Sequence, residues 1–154
     1  MGFYLLISVR TPYLCSVLVV VGVDAELDEL SVADVVQCEE RIVSQSRALL
    51  SAGSRDQIQS EVDELLGRFG LQTRLLVVER ANNLALYFIC MTLAALMSLH
   101  DQWRSRELRD IVQSLFTFLS GATRPVGVKR LNWPLTDYQR CLEFFGYVKG
   151  KQLI

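Results

Sequence analysis

The chain is poor in the residues from which metal centres are assembled. It has one histidine, His100, and four cysteines, Cys15, Cys38, Cys90 and Cys141, standing far apart with no Cys-x-x-Cys pair. That spacing excludes the usual structural zinc sites and implies no cofactor. Single cysteines in apolar surroundings read as buried thiols in a reducing compartment. Three prolines in 154 residues leave no Pro-rich linker, and neither a repeat nor a low-complexity run is present. Lysine occurs only as Lys129, Lys149 and Lys151, and a formal net charge of −1 excludes a uniformly basic nucleic-acid binder.

Long apolar runs are also few. Arg10 and Pro12 divide the N-terminal run into two pieces too short to cross a bilayer, which argues for two strands around an Arg-Thr-Pro turn rather than a signal or anchor. Leu84 to Leu99 is uncharged and closer to span length, but Ala85, Cys90, Ala94, Ala95 and Ser98 suit a helix packed closely on a sheet as well as one in lipid. A single-span membrane protein with a helical soluble part is therefore one reading of the chain.

A hydrophobic share of 51% against 21% charged residues excludes disorder and provides for one well-buried core. The charge is unevenly spread. Residues 24–64 hold eleven acids and three Arg, a net of −8, whereas 124–154 hold six bases and two acids, a net of +4. A polyanion would meet the C-terminal segment.

Tyr13 to Val23 is a Val-rich run of the kind found in strands buried on both faces. Ser31-Val32-Ala33-Asp34 resembles a capping box opening a helix over about 31–46, with Val35, Val36, Ile42 and Val43 on one face. Arg47 to Ala52 continues that helix or forms a central strand. Ser54 caps a second helix bearing Ile58, Val62, Leu65, Leu66 and Phe69, closed by Gly67 and Gly70. Thr73 to Glu79 reads as a strand, and Asn82-Asn83 as the cap of a helix over Leu84 to Leu99. Trp103 to Ser120 forms an amphipathic helix presenting Leu108, Ile111, Val112, Leu115, Phe116 and Leu119. Residues 122–134 read as a loop, and Thr136 opens a short helix burying Cys141, Leu142, Phe144 and Phe145. Strands alternating with helices predict an α/β fold with a mostly parallel central sheet flanked by helices over 1–121, and a small helical, basic appendage over 122–154.

Few catalytic constellations are available. Gly146-Tyr147-Val148-Lys149-Gly150-Lys151 is one residue short of a phosphate loop. His100 beside Asp101 reads as a helix-terminal histidine near the negative end of the dipole. Asp24, Glu26, Asp28 and Glu29 could hold a hard cation at a strand end, but more simply form a solvated approach to a helix. Arg124, Lys129, Arg130, Lys149 and Lys151, interleaved with Trp133, Tyr138, Phe145 and Tyr147, have the composition of a surface that tracks phosphates and stacks on bases; the simpler alternative is that Trp133 and Phe145 are core and the bases solubilise a small subdomain.

The segment Leu49 to Leu93, with the upstream LVVVGVDAELDELSVADVV, resembles the non-catalytic members of the XPF-type nuclease fold. It is most similar to the small meiotic crossover partners of XPF-like ZIP or shortage-in-chiasmata subunits, and next to the small Fanconi-associated partner. Active members of that fold carry a Gly-Asp, then Glu-Arg-Lys and a further Asp. Here Glu79-Arg80 is followed by Ala81, with no acid before Asp101, so the resemblance implies an inactive subunit and no enzyme. It further implies a nuclear heterodimer with an XPF-like protein, supporting recombination or repair on branched DNA, with Gly146 to Gly150 a loose echo of a helix-hairpin-helix. The partner interface would use Trp103, Leu108, Phe116, Trp133, Tyr138, Phe144 and Phe145, and DNA contact would use Arg124, Lys129, Arg130, Lys149 and Lys151. An adaptor that binds protein only is the remaining alternative.

Overall fold

The computed structural model describes residues 6–10, 15–50, 63–121, 123–148 and 151–152. The Arg-Thr-Pro turn and the opening of the helix expected after Ser54 lie outside these residues. The long strand β2 (Cys15–Leu27) organises the rest. Its odd-numbered residues Val19, Val21, Val23, Ala25 and Leu27 enter the core, while Gly22, Asp24 and Glu26 line the other, half-exposed face.

Chain order then runs α1 (Val35–Leu50), β3 (Thr73–Arg80), β4 (Leu84–Cys90), α2 (Leu93–Arg104), α3 (Glu107–Ser120), β5 (Val128–Asn132) and α4 (Leu135–Phe144). A two-stranded ribbon of β6 (Tyr147–Val148) and β7 (Lys151–Gln152) ends the described chain. Strand β4 lies between β2 and β3. The opposite edge of β2 is shared by β1 (Leu6–Arg10) near its start and β5 near its end. Every pairing among the described residues is antiparallel. Over β2–α1–β3–β4–α2–α3–β5 the spatial order β5-β2-β4-β3 is that of the split βαβ, ferredoxin-like plait.

The mostly parallel, XPF-like sheet expected from the sequence is thereby overturned, and the cause is Leu84 to Leu99. Its first half is strand β4 rather than helix. Asn82-Asn83 is the tip of a hairpin, where the Ala81 N–H donates to the Asn83 carbonyl at 2.8 Å, and so short a connection joins only antiparallel strands. The helix begins at Leu93, where the Thr92 hydroxyl accepts the Ala95 N–H at 3.0 Å. No described helix is long and apolar enough to cross a membrane.

Two further boundaries differ from expectation. Asp34, rather than Ser31, caps α1, its carboxylate accepting the Gln37 N–H at 3.1 Å. The expected helix over Trp103 to Ser120 is two helices, broken at Ser105-Arg106. Arg106 has a φ of 71°, and Gly121 closes α3 at a φ of 66°.

Within the expected loop 122–134, β5 forms because α3 holds the chain leading into it. The Val126 N–H donates to the Thr117 hydroxyl at 2.8 Å, and the Val128 N–H to the Gln113 side-chain carbonyl at 2.9 Å. Gly127 lies against β2's end, where a Cβ would stand 3.3 Å from that of Asp28. Trp133 and Cys141 join the same buried cluster as the β2 valines.

Candidate functional site

The bases that converge come from three segments. Arg104 ends α2, Arg106 caps α3, Arg109 lies on its first turn, and Lys129 and Arg130 lie on β5. With Trp103 and Leu131 they line a cleft of about 420 Å³. Trp103, half-buried, forms part of its wall, and its indole N–H donates to the Leu131 carbonyl at 3.0 Å, tying α2 to β5. The nearest acid partner is Glu26, half-buried on β2 and 3.9 Å from the exposed Arg130, a separation beyond hydrogen-bond length. Four of the five cations are Arg, whose planar forks bind phosphate or carboxylate oxygens two at a time.

Arg106 occupies the left-handed region at φ 71° without a glycine's freedom, on the rim of this cleft. Arg106→Gly is expected to raise stability by about 1 kcal/mol, because the αL penalty of a side chain is of that order, while weakening anion binding. Urea unfolding and anion titration of one variant should therefore move in opposite directions. A destabilised Arg106→Gly protein would show that the guanidinium stabilises the fold.

Behind the cleft sits an aromatic cluster. His100 stacks on Tyr138 with ring centroids 3.6 Å apart and meets Trp133 edge-on at 5.1 Å and Trp103 at 5.3 Å. Both His100 Nε2 and the Trp133 indole N–H are buried without a hydrogen-bond partner among the described residues. Burial, reinforced by Arg104 and opposed by Asp101, pushes the His100 pKa below its ordinary 6.5. A histidine held neutral in the folded state favours unfolding once the unfolded chain takes up a proton. Stability is therefore full above pH 6.5 and declines as the pH falls from there toward the folded-state value. Chemical melts between pH 7.5 and 5 should show this slope, and His100→Phe should flatten it.

The other expected site residues are placed as follows. Lys129 and Arg130 line the cleft; Arg124 is exposed in the α3–β5 loop and does not. Lys149 and the side chain of Lys151 lie outside the described residues. Of the expected interface residues, Leu108, Phe116 and Trp133 are buried in the core of this chain, and Trp103, Tyr138, Phe144 and Phe145 pack half-buried against it. These aromatics hold the fold itself together.

The remaining candidates have structural work. The Arg80 guanidinium donates to Glu39 at 3.2 Å and Glu40 at 3.4 Å, so it ties β3 to α1. Asp24 accepts from the Asn83 amide at 3.0 Å, and Asp28 from the Leu30 N–H at 3.0 Å. Among the described residues no cluster of three or more His, Cys, Asp or Glu side chains could hold a metal ion. Burial pushes the Cys90 and Cys141 thiols up to about 12, which disfavours the nucleophilic thiolate.

Reading by composition found Lys129 and Arg130 but missed Arg104, Arg106 and Arg109. Three Arg within six residues are the signal in the sequence, and the continuous helix expected over Trp103 to Ser120 gave no reason to single them out. No family model, curated protein or solved structure matches this chain.

Proposed function

We propose that the chain is a non-enzymatic binding module that grips a nucleic-acid phosphate backbone in its basic cleft. The supporting observation is the convergence of Arg104, Arg106, Arg109, Lys129 and Arg130 from separate segments on one concavity, in a protein whose net charge is −1. Random surface charge in such a chain has no reason to gather cations and exclude carboxylates from one wall. Guanidinium forks suit phosphate oxygens, and the ring of Trp103 in the same wall suits a base or sugar beside them.

The wider role implied by the XPF-type resemblance, the inactive half of a nuclear heterodimer on branched DNA, drew on a parallel nuclease-like sheet. The antiparallel plait removes that ground, and the binding reading rests on the cleft alone.

Fluorescence anisotropy with labelled single-stranded and duplex oligonucleotides tests it. Affinity should fall steeply between about 50 and 200 mM salt, and Lys129→Ala should make the log–log salt slope shallower by about one. Arg104→Ala with Arg109→Ala should weaken binding at least about tenfold at the lower salt, as loss of two phosphate contacts implies. Unchanged binding by that pair, with the fold intact, would sink the proposal.

A further inference from the structure

A second concavity, of about 190 Å³, opens on the sheet face that carries Gly22, Asp24, Ala85 and Tyr87. The register explains its shape. Gly22 pairs with Tyr87 and Asp24 with Ala85 across β2 and β4, and Asp24 pairs with Asn132 on β5. These side chains therefore share one face. Gly22 and Ala85 are too small to fill it, so they leave a floor between the Tyr87 ring and the Asp24 carboxylate. The hairpin tip at Asn82-Asn83 forms one wall, and Asn132 with Pro134 another. The Asn83 amide holds Asp24 at 3.0 Å and fixes its orientation while leaving the other carboxylate oxygen uncommitted to that bond.

Among the described residues no cation lines this pocket. Arg130 is drawn toward Glu26 and the basic cleft, and Arg80 toward Glu39 and Glu40. Glu79, opposite Ala85 in the β3–β4 register, adds a second carboxylate near Tyr87. Burial first, then the charges of Glu79 and Asp24, push the Tyr87 hydroxyl above its ordinary value of 10. A carboxylate, an aromatic ring and amide oxygens around a small concavity are what an organic cation requires. The volume lies below the roughly 300 Å³ at which whole drug-sized ligands are accommodated, and so suits a side-chain terminus rather than a nucleotide.

We infer that the pocket between Asp24, Tyr87, Asn83 and Asn132 is a recognition site for an ammonium or guanidinium group. It is separate from the polyanion cleft, although β5 contributes residues to both.

The test is a titration of the full chain, followed by amide chemical shifts, with N-acetyl-arginine amide, N-acetyl-lysine amide and spermidine as probes and N-acetyl-glutamine amide as the neutral control. The charged probes should shift the Gly22, Ala85 and Asn132 resonances saturably, and the glutamine derivative should not. Asp24→Asn, which keeps the side-chain shape, should weaken the charged probes at least fivefold, and Tyr87→Leu should do so independently. Saturation by the blocked amino acids identifies a protein side chain as the source of the cation; saturation by spermidine alone identifies a free polyamine. Equal shifts from glutamine and arginine derivatives, absence of saturable shifts, or an Asp24→Asn protein binding as well as the parent, would overturn the inference. Arg104→Ala with Arg109→Ala should leave these shifts unaltered, which keeps this outcome distinct from that of the cleft.

Discussion

Trp133→Ala is expected to destabilise the protein by about 4 kcal/mol, the middle of the range for removing a large aromatic from a close-packed interior. Trp133 is 1% exposed and meets His100, Trp103 and Tyr138 at centroid separations of 5.1, 6.3 and 5.5 Å. Its loss opens a cavity where α2, β5 and α4 come together, and three rings lose their edge contact at once. Trp133→Phe should cost much less, about 1–2 kcal/mol, because it retains most of the ring volume and removes a buried N–H without an acceptor. Equilibrium urea unfolding with an unchanged m value checks both substitutions. If Trp133 were instead an anchor for another protein, alanine would leave the isolated chain's stability nearly unaltered, and a cost below about 0.5 kcal/mol, typical of surface sites, would decide in favour of that role.

That contrast shows what the sequence could and could not reveal. Aromatic residues near bases have the composition of an interface whether they face outward or inward, and only the strand β5 turns Trp133 toward the core. β5 itself escaped notice because Val128 to Asn132 is short, highly charged and at a sheet edge, where alternation is weak. By contrast β2 was legible because a run of valines has few other uses. The hairpin strand β4 was obscured for the opposite reason. Lying between β2 and β3, it is apolar on both faces, so no polar alternation marks it. Only Met91 and Thr92 separate it from α2, and length alone merged strand and helix into one element. Reading Asn82-Asn83 as a hairpin tip instead of a helix cap reverses the sheet from parallel to antiparallel.

The candidate cleft was half legible. Lys129 and Arg130 stood out in a segment with an excess of bases, but the partners that make them a site lie about twenty residues upstream, at a helix break. Nothing in the local pattern of Arg104 to Arg109 requires the helix to stop. The chain turns at the left-handed Arg106, and beyond it α3 packs against α1, α2 and β5.

Arg80→Met is expected to cost about 2–3 kcal/mol, and the carboxylate responsible is Glu39 rather than Glu40. Glu39 is 5% exposed on α1, so without its guanidinium it becomes a buried charge with no cation. The cost falls short of that of a fully buried pair because the Arg80 side chain is itself 39% exposed and already partly solvated. Glu40, with a side chain 63% exposed, keeps its water, and Glu40→Ala should change stability by less than about 0.5 kcal/mol despite a contact of 3.4 Å. The double variant Glu39→Met with Arg80→Met should recover most of the loss, since an apolar pair of similar size satisfies the interface between α1 and β3. A double-mutant cycle by urea unfolding measures this coupling; equal effects at Glu39 and Glu40 would show that burial does not set the energetics. Strand β3 is at the far edge of the sheet from β5, so oligonucleotide affinity per folded molecule should be unchanged in each of these variants. Arg80, the second residue of the Glu79-Arg80 pair set against a nuclease motif, thus acts as the bolt between the first helix and the edge of the sheet.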